Sequence, residues 1–312
     1  MRYLITGARG FIGAAVVRAA LDAGGTVAVL VRPGRAPGRL LGMQRQLTWI
    51  DGDLTALDAP AVRLACAAFA PDTVIHTGWE GVAGSARNDH RQVHANVSAA
   101  LDLVTLAGEC GAAHFVGLGS QAEYGRCAGR IPEAHPLLPT TLYGAAKVAA
   151  AVVTRTHATL LGMRHTWLRV FSTYGAGSDA SWVLPMAADA IARGVAPALT
   201  SCEQRWEFLH VRDAAGAIIA VAEGQATGTY NLGTGDARVL REVILGLRDR
   251  IDGSIAPMFG AVPYRPDQVM WLEADISRLQ ADTGWSPMVS LEAGLDEMAA
   301  EALAHRGEHA HA

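Results

Sequence analysis

The first 170 residues alternate short apolar runs with longer stretches rich in alanine, leucine and valine. Short apolar runs bounded by turn residues predict buried strands, and the longer stretches predict helices. The predicted strands lie at 3–6, 27–31, 47–50, 73–76, 114–118 and 166–170, and the predicted helices at about 11–23, 58–70, 89–110 and 142–161. Such regular alternation indicates an α/β fold whose doubly wound parallel sheet is covered by helices on both faces.

Beyond residue 171 the pattern becomes irregular. A loop and a helix are predicted around 172–195, strand-like segments are found at 206–211 and 228–232, and further helices are predicted at about 212–223, 238–250, 275–283 and 290–304. We therefore predict a smaller C-terminal α/β lobe that closes over a substrate. Residues 1–171 plus about 206–235 would form the larger domain, and about 172–205 plus 236–312 the substrate lobe.

Composition and charge narrow the class of protein. Half of the 312 residues are hydrophobic and 18% are charged, which is typical of a folded globular protein. The formal net charge of −4 provides no basic surface for nucleic acid, and no run of 18 apolar residues predicts a membrane span. The four cysteines have no CxxC spacing, so we expect reduced thiols, no metal site and a cytoplasmic location.

Three glycines stand where the first predicted strand meets the first predicted helix, in the segment TGARGFIG (6–13). Gly7 permits a tight turn, Gly10 lets the backbone approach a pyrophosphate, and Gly13 lets the helix pack on the strand. The helix N-terminus then offers free N–H groups to phosphates. The spacing is GxxGxxG rather than GxGxxG, but its position predicts a dinucleotide-binding domain.

The end of the second predicted strand bears on the choice of cofactor. A carboxylate there binds the ribose 2′-hydroxyl of NAD, whereas arginine accommodates the 2′-phosphate of NADP. The segment Val31-Arg32-Pro33-Gly34-Arg35 has no carboxylate. Arg32, with Arg35, therefore favours NADP(H), while NAD stays possible. The alternative is an ordinary solvated arginine loop.

Tyr143 and Lys147 are the first candidates for catalysis. Lys147 is the only lysine, beside 25 arginines, and lies four residues after Tyr143 in a predicted helix. Positions i and i+4 share a helix face, and an ammonium group beside a phenol brings its pKa from about 10 towards neutrality. Ser120 follows the apolar strand at 114–118, at the sheet edge where such folds bind ligands. The alternative is a chance surface lysine beside a tyrosine.

These motifs together resemble the extended short-chain dehydrogenase/reductase family, also described as NAD-dependent epimerases/dehydratases, in its nucleotide-sugar epimerase/reductase branch. The resemblance covers nearly the whole chain. It rests on TGARGFIG (6–13), VIHTG (74–78), GSQAEYG (119–125), YGAAK (143–147), LRVFSTYG (168–175), RWEFLHVRDAAGAI (205–218) and YNLGTG (230–235). It implies a Rossmann-type sheet and Ser120, Tyr143 and Lys147 as catalytic residues.

The resemblance also implies the residues that contact the cofactor. Asp53 and Leu54 match the pair that touches the adenine, Thr77 ends a strand beside the cofactor, and Asn96 matches a helix asparagine. The full implied set is Gly7, Gly10, Phe11, Ile12, Gly13, Arg32, Arg35, Asp53, Leu54, Thr77, Asn96, Tyr143 and Lys147.

For the substrate, the resemblance implies a nucleotide-diphosphate sugar. Arg205 and Arg265 match positions that clamp the diphosphate, and arginine's planar fork suits paired phosphate oxygens. Ser172 replaces an asparagine common in epimerases, so contacts there would differ. Trp79 and Glu80, together with Ser120, would lie near the sugar.

Three functions stay open at this point. The family's 4,6-dehydratases carry Asp-Glu just after the catalytic hydroxyl residue, whereas this chain has Gln121-Ala122, so dehydration is disfavoured. We predict a reductase that uses NADPH on a 4-keto-6-deoxyhexose nucleotide, with Tyr143 as general acid/base. A C4-epimerase with tightly bound NAD is the alternative, and an idle dinucleotide-binding sensor a remote one. We also expect a homodimer formed by the helices at 89–110 and 142–161.

Overall fold

The computed structural model describes residues 1–265 and 268–309. The strands are β1 (Arg2–Thr6), β2 (Thr26–Val31), β3 (Leu47–Asp51), β4 (Thr73–His76), β5 (His114–Ser120), β6 (Gly129–Ile131), β7 (Arg164–Val170), β8 (Thr173–Tyr174), β9 (Ala198–Leu199), β10 (Arg205–Glu207), β11 (Leu209–His210), β12 (Gly228–Leu232), β13 (Ala237–Val239), β14 (Met258–Phe259) and β15 (Trp271–Ala274). The helices are α1 (Phe11–Asp22), α2 (Pro60–Phe69), α3 (Ser98–Glu109), α4 (Leu142–Leu160), α5 (Val183–Ala192), α6 (Val211–Glu223), α7 (Leu240–Ile251), α8 (Ser277–Thr283) and α9 (Leu291–His309).

The main sheet has seven parallel strands in the order β3-β2-β1-β4-β5-β7-β12. Helices α1 and α6 pack together on one face, while α2, α3 and α4 lie on the other. The inner strands are buried on both faces, which explains apolar runs such as that of β2, whereas three of the five residues of the edge strand β3 are exposed. This architecture confirms the predicted Rossmann-type α/β fold with a doubly wound parallel sheet. The strand order reverses between β1 and β4, where such sheets form a ligand crevice.

The smaller part of the molecule has its own mixed sheet, in the order β13-β10-β15-β6. Its hydrophobic core includes side chains from α5, α7 and α9. Strand β6 belongs to this sheet, although it lies within the 1–171 range that we assign to the larger domain. The division into 1–171 plus about 206–235 and about 172–205 plus 236–312 stays a prediction.

The segment predicted as one strand at 206–211 is split between two sheets. Strand β10 pairs with β13 and β15, whereas β11 pairs with β8. The fully buried Glu207 ends β10, and its carboxylate accepts hydrogen bonds from the backbone N–H groups of Thr234 and Gly235, each at 3.0 Å. A buried carboxylate needs such partners, so β10 is held beside the turn after β12.

The helix predicted at 89–110 also differs. A 3₁₀ turn (Gly84–Asn88) and a π-helical turn (Gln92–Val97) precede α3, which begins only at Ser98. Throughout the described ranges, no helix is long and apolar enough to cross a membrane.

Three buried histidines lie in the main sheet. Each ring forms one hydrogen bond with a threonine hydroxyl: His76 with Thr6, His114 with Thr166 and His165 with Thr154. Burial lowers the pKa of His76 to about 3 and that of His114 and His165 to about 4. The fold therefore requires all three rings to be neutral.

We expect acid to destabilise the protein through these rings. Below about pH 6.5 the three histidines take up protons in the unfolded chain but not in the folded protein. The free energy of unfolding that is present above pH 6.5 is therefore lost as the pH falls, by about 2 kcal/mol per histidine at pH 5. Denaturant unfolding at pH 7.5 and 5.0 measures this loss. His165→Gln should lose about 1–2 kcal/mol less than the wild type over that range. His90→Gln, at a side chain that is 84% exposed, is the control. Identical losses of stability in all three proteins would contradict the conclusion that buried neutral histidines cause the acid sensitivity.

Candidate functional site

Three cavities of about 500 Å³ each follow one another along the carboxyl edge of the main sheet. The glycine-loop cavity (about 500 Å³) lies between Gly7 and Asp53, and the central cavity (about 470 Å³) contains Ser120, Tyr143 and Lys147. The outer cavity (about 550 Å³) lies towards the smaller lobe. The first two share Gly7, Gly10, Arg39, Thr77 and Trp79, and the last two share Ser172, Thr173 and Trp182. Together they form one cleft.

The glycine loop is tightly packed against the end of β4. Gly7 has φ +69°, and a Cβ there would lie 2.6 Å from the Cα of Gly78. A Cβ on Gly13 would lie 2.7 Å from the Thr77 hydroxyl. Gly10 caps α1 without any side-chain hydrogen bond, so the first N–H groups of the helix are left for a ligand. The buried Nε of Arg9 beside this cavity has no hydrogen-bond partner among the described residues. These features fit a dinucleotide diphosphate.

Charged groups surround the far end of the glycine-loop cavity. Arg32 forms ion pairs with Asp53, at 3.0 Å, and with Glu80. Arg35 lines the same cavity and forms no ion pair with any residue that the structure describes. Leu54 lies beside Asp53 in the lining. Strand β2 therefore presents arginines, and no carboxylate of its own, at this end of the cleft.

Asn96 holds the backbone that follows β4. Its Oδ1 accepts from Glu80 N at 2.8 Å, and its Nδ2 donates to Glu80 O at 3.1 Å. Gln92 accepts from the indole Nε1 of Trp79 at 2.8 Å. The π-helical turn therefore orients the side-chain amides of Gln92 and Asn96 towards residues 79–81. Asn96 lines the glycine-loop cavity, but its side-chain hydrogen bonds are made within the protein.

Ser120, Tyr143 and Lys147 meet in the central cavity. Ser120 ends β5 and caps a 3₁₀ turn, in which its Oγ accepts from Ala122 N at 3.2 Å. The Thr141 hydroxyl caps α4 by accepting from Gly144 N at 3.1 Å, which places Tyr143 in the first helical turn. One turn later, the Lys147 Nζ donates to Leu118 O at 2.6 Å. The three side chains therefore come from β5 and α4, as the sequence predicts.

Burial is the main cause of the pKa shifts of Tyr143 and Lys147. Tyr143 is 8% exposed and Lys147 is 4% exposed. Burial raises the pKa of Tyr143, while the hydroxyl of Ser120 and the guanidinium of Arg87 act in the opposite direction. Burial lowers the pKa of Lys147 to about 7, against the opposing charge of Glu123. At neutral pH the phenol therefore holds its proton and can act as a proton donor.

A buried ion pair lies beneath Ser120 that the sequence analysis missed. The fully buried Glu123 accepts from Ser120 N at 2.9 Å, from the Trp167 indole at 2.9 Å and from Arg169 Nε at 2.8 Å. Gly119 leaves the space for this carboxylate, because a Cβ there would collide with it. The S-x-x-E spacing of Ser120 and Glu123, which forms a capping box, was the available sequence signal.

The outer cavity is mostly apolar and aromatic, with Arg265 as its cation. Ser172 accepts a hydrogen bond from the indole of Trp206, which also lines the cavity. Arg205 is the neighbour of Trp206 on β10 and therefore points to the other face. Its Nη2 donates to Ala237 O at 2.9 Å and its guanidinium lies against Trp271. Within residues 1–265 and 268–309, Arg205 lines none of the three cavities, in contrast to every other residue that we predict at the site.

Two contacts bridge the cleft above the glycine loop. Arg39 Nη2 donates to Gly177 O at 2.5 Å, and the ring of Phe11 meets that of Trp182 edge-to-face with centroids 6.5 Å apart. Phe11 and the neighbouring Ile12 line the central cavity. Phe11 begins α1 and Arg39 lies between β2 and β3, whereas Gly177 and Trp182 precede α5. We call these four residues the bridge.

Comparison with known proteins places the chain among enzymes. A dTDP-glucose 4,6-dehydratase of Streptomyces griseus is 29% identical over 97% of this chain and 94% of its own length. A UDP-glucose 4-epimerase of Halalkalibacterium halodurans is 27% identical over 100% and 97%. The structure of a UDP-N-acetylglucosamine 4-epimerase from Methanobrevibacter ruminantium M1, in complex with UDP-N-acetylmuramic acid, shares the fold with a TM-score of 0.87 at 23% identity, covering 97% of this chain and 98% of that one.

The first three quarters of the chain identify the protein family. The sequence model of the NAD dependent epimerase/dehydratase family matches residues 3–233, which include all of the main sheet except Arg2 and contain the Ser120, Tyr143 and Lys147 motifs. The predicted recognition and enzyme class are thereby confirmed. The chain belongs to the NAD dependent epimerase/dehydratase family, as an NAD(P)-dependent enzyme of the extended short-chain dehydrogenase/reductase type.

Proposed function

We propose that this enzyme reduces the keto group of a 4-keto-6-deoxyhexose nucleotide with NADPH. Two relatives that match nearly the full chain are named for dTDP-glucose and UDP-glucose, and they support nucleotide sugars as the substrate class. The central cavity would take the sugar, and the outer cavity the nucleotide. Arg265 is the cation available there for a diphosphate, and Ser172 lies where the two cavities join.

The proposed reaction uses the three residues of the central cavity. When bound, the nicotinamide supplies a hydride to the carbonyl carbon. Ser120 holds the carbonyl oxygen, and the Tyr143 phenol donates its proton to that oxygen, so ketone, hydride and proton together give the alcohol. Lys147 orients the site through Leu118 O and stabilises the phenolate, which solvent then reprotonates.

The arginines at the end of β2 are the observation that carries this proposal. Arg32 stands where NAD enzymes place a carboxylate, and Arg9, Arg35 and Arg39 line the same cavity. Two carboxylates, Asp53 and Glu80, are already paired with Arg32. Arg35, which forms no ion pair with any described residue, is thus available for a 2′-phosphate, and this favours an exchangeable NADPH.

Cofactor preference is the direct test. We expect the wild type to bind NADPH at least tenfold more tightly than NADH in fluorescence titrations, because a hydrogen bond to a charged group contributes about 1.5–3 kcal/mol. Arg35→Ala should remove most of this preference and leave NADH affinity unchanged. Arg45→Ala removes an exposed arginine outside the cavity and serves as the control. Equal affinity for the two coenzymes in the wild type would overturn the NADPH assignment.

A C4-epimerase is the second candidate, and the bridge favours it. Contacts from Arg39 to Gly177 and from Phe11 to Trp182 span the cleft, which suits a cofactor retained between turnovers. Purified protein that releases stoichiometric NAD on denaturation, and interconverts C4 epimers without consuming NADPH, would establish this alternative. Protein that binds NAD(P) but turns over no nucleotide sugar would instead support the idle sensor.

Dehydration fits the site poorly. Gln121 and Ala122 provide no acid after Ser120, and the next carboxylate, Glu123, is fully buried and bonded to Trp167 and Arg169. The homodimer through the helices at 89–110 and 142–161 and the cytoplasmic location stay predictions.

A further inference from the structure

Arg87 lies over the face of Tyr143. Its guanidinium carbon is 4.7 Å from the centroid of the phenol ring, and the side chain lines the central cavity. Arg87 is half-buried. In contrast to Arg32, Arg91 and Arg169, it has no carboxylate within ion-pair distance in the part of the chain that the structure describes. Its charge therefore faces the ring without a compensating anion.

The segment that carries Arg87 is fixed on both sides. Gln92 Nε2 donates to Gly81 O at 2.6 Å and to Ala86 O at 2.9 Å. Asn88 Oδ1 accepts from Leu142 N at 3.2 Å, one residue before Tyr143. The 3₁₀ turn is thus tied to the start of α4. This attachment holds the guanidinium at the ring, rather than leaving it on a free loop.

The other groups around the ring differ from Arg87. Lys147, on the same helix, has its Nζ 5.9 Å from the Tyr143 centroid and 3.5 Å from that of Trp79, and burial lowers its pKa to about 7. Glu123, beneath β5, is an anion that raises the pKa of Tyr143, while the Ser120 hydroxyl lowers it. Arginine keeps its proton at all working pH values. Arg87 is therefore the cation that is both closer to the ring and permanently charged.

We propose that Arg87 is a positioning residue that acts through Tyr143 by stabilising its phenolate. The inference rests on the proposed role of Tyr143 in proton transfer. A cation is attracted to the face of an aromatic ring, and the attraction grows when the ring carries negative charge. When the proton leaves the Tyr143 oxygen for the substrate oxygen, the charge left on the phenolate meets Arg87, which itself gives up no proton.

The direct test follows the ionisation of Tyr143 without any substrate. Tyrosine labelled with ¹³C at Cζ gives a signal that Tyr143→Phe identifies by its loss. We expect Arg87→Met to show a smaller ionised fraction of Tyr143 at pH 10, with a midpoint raised by about 0.5–1 pH unit. Arg87→Lys should restore part of the difference. Arg91→Met removes an arginine that is 74% exposed and paired with Asp89, and should leave the titration unchanged.

Kinetics separate this role from substrate binding. Reduction needs the protonated phenol, so kcat/KM falls as pH rises through the pKa of Tyr143. In Arg87→Met we expect this fall to move upward with the NMR midpoint, and kcat to drop about 3–10-fold with KM unchanged. An unchanged Tyr143 titration would overturn the proposal, and a raised KM alone would show that Arg87 binds substrate instead. A shifted titration in protein that reduces no ketosugar would refute the proposed reaction but not this inference.

Discussion

Tyr143→Phe is expected to lower kcat by about 10²–10⁴-fold while leaving cofactor affinity within a few-fold of the wild type. The substitution removes only the hydroxyl that donates the proton, and general acid catalysis contributes a factor of this size. The ring contacts with Trp79 and Arg87 would be retained. Steady-state reduction of a 4-keto-6-deoxyhexose nucleotide, followed by NADPH absorbance at 340 nm, measures the loss.

The matched control is Tyr230→Phe. Tyr230 is also a hydroxyl donor, with Asp282 Oδ2 at 2.7 Å and Thr227 O at 3.0 Å as the acceptors within reach, but it lies at the edge of the main sheet formed by β12. This variant should lose about 1 kcal/mol of stability and keep its kcat. If Tyr143→Phe retained more than a tenth of wild-type kcat, Tyr143 could not be the main proton donor.

Gly13→Ala is expected to abolish measurable cofactor binding and to destabilise the protein by about 2–3 kcal/mol. The added Cβ would lie 2.7 Å from the Thr77 hydroxyl and closer still to Gly7 O. These atoms belong to the turn after β1 and to the end of β4, so one of the two must move. Such a shift displaces the backbone N–H groups that would face the diphosphate. Denaturant unfolding and fluorescence titration with NADPH measure the two effects.

Gly216→Ala adds the same methyl group where there is room. Gly216 lies within α6, and a Cβ there would be 3.7 Å from the nearest atom, the Trp285 indole nitrogen. Alanine is the better helix former by up to about 1 kcal/mol, so this variant should be slightly more stable and bind cofactor normally. Normal NADPH binding by Gly13→Ala would show that the glycine loop does not hold the cofactor.

The sequence predicted the main sheet well because most of its strands carry apolar residues on both faces, with the exposed edge strand β3 as the exception. Strands β1, β2, β4 and β12 begin and end within one residue of the predicted bounds. The short strands β6 and β15 were missed, because three or four residues give no periodic pattern, and their pairing joins positions more than 140 residues apart. The strand predicted at 206–211 was wrong because the partners of Glu207 come from the turn after β12, which local patterning cannot show.

The candidate site also contains residues that the sequence could predict and residues that it could not. Ser120, Tyr143 and Lys147 could be proposed because each follows a local signal: a strand end or an i,i+4 spacing. Arg87 gave no such signal, since its position over Tyr143 depends on side-chain bonds made by Asn88 and Gln92. Arg205 shows the converse case. Its neighbour Trp206 lines the outer cavity, because successive residues of β10 point to opposite faces.

The single lysine has a consequence for chemical labelling. Lys147 is the only side-chain amine among 312 residues, and its lowered pKa of about 7 leaves much of it neutral, and hence nucleophilic, near physiological pH. Its 4% exposure admits only small reagents that enter through the cleft. Acylation of this one amine would therefore report whether the cleft is open or filled. Surface arginines would remain unmodified, so once the α-amino group of the exposed Met1 is blocked, the folded enzyme carries its own occupancy probe.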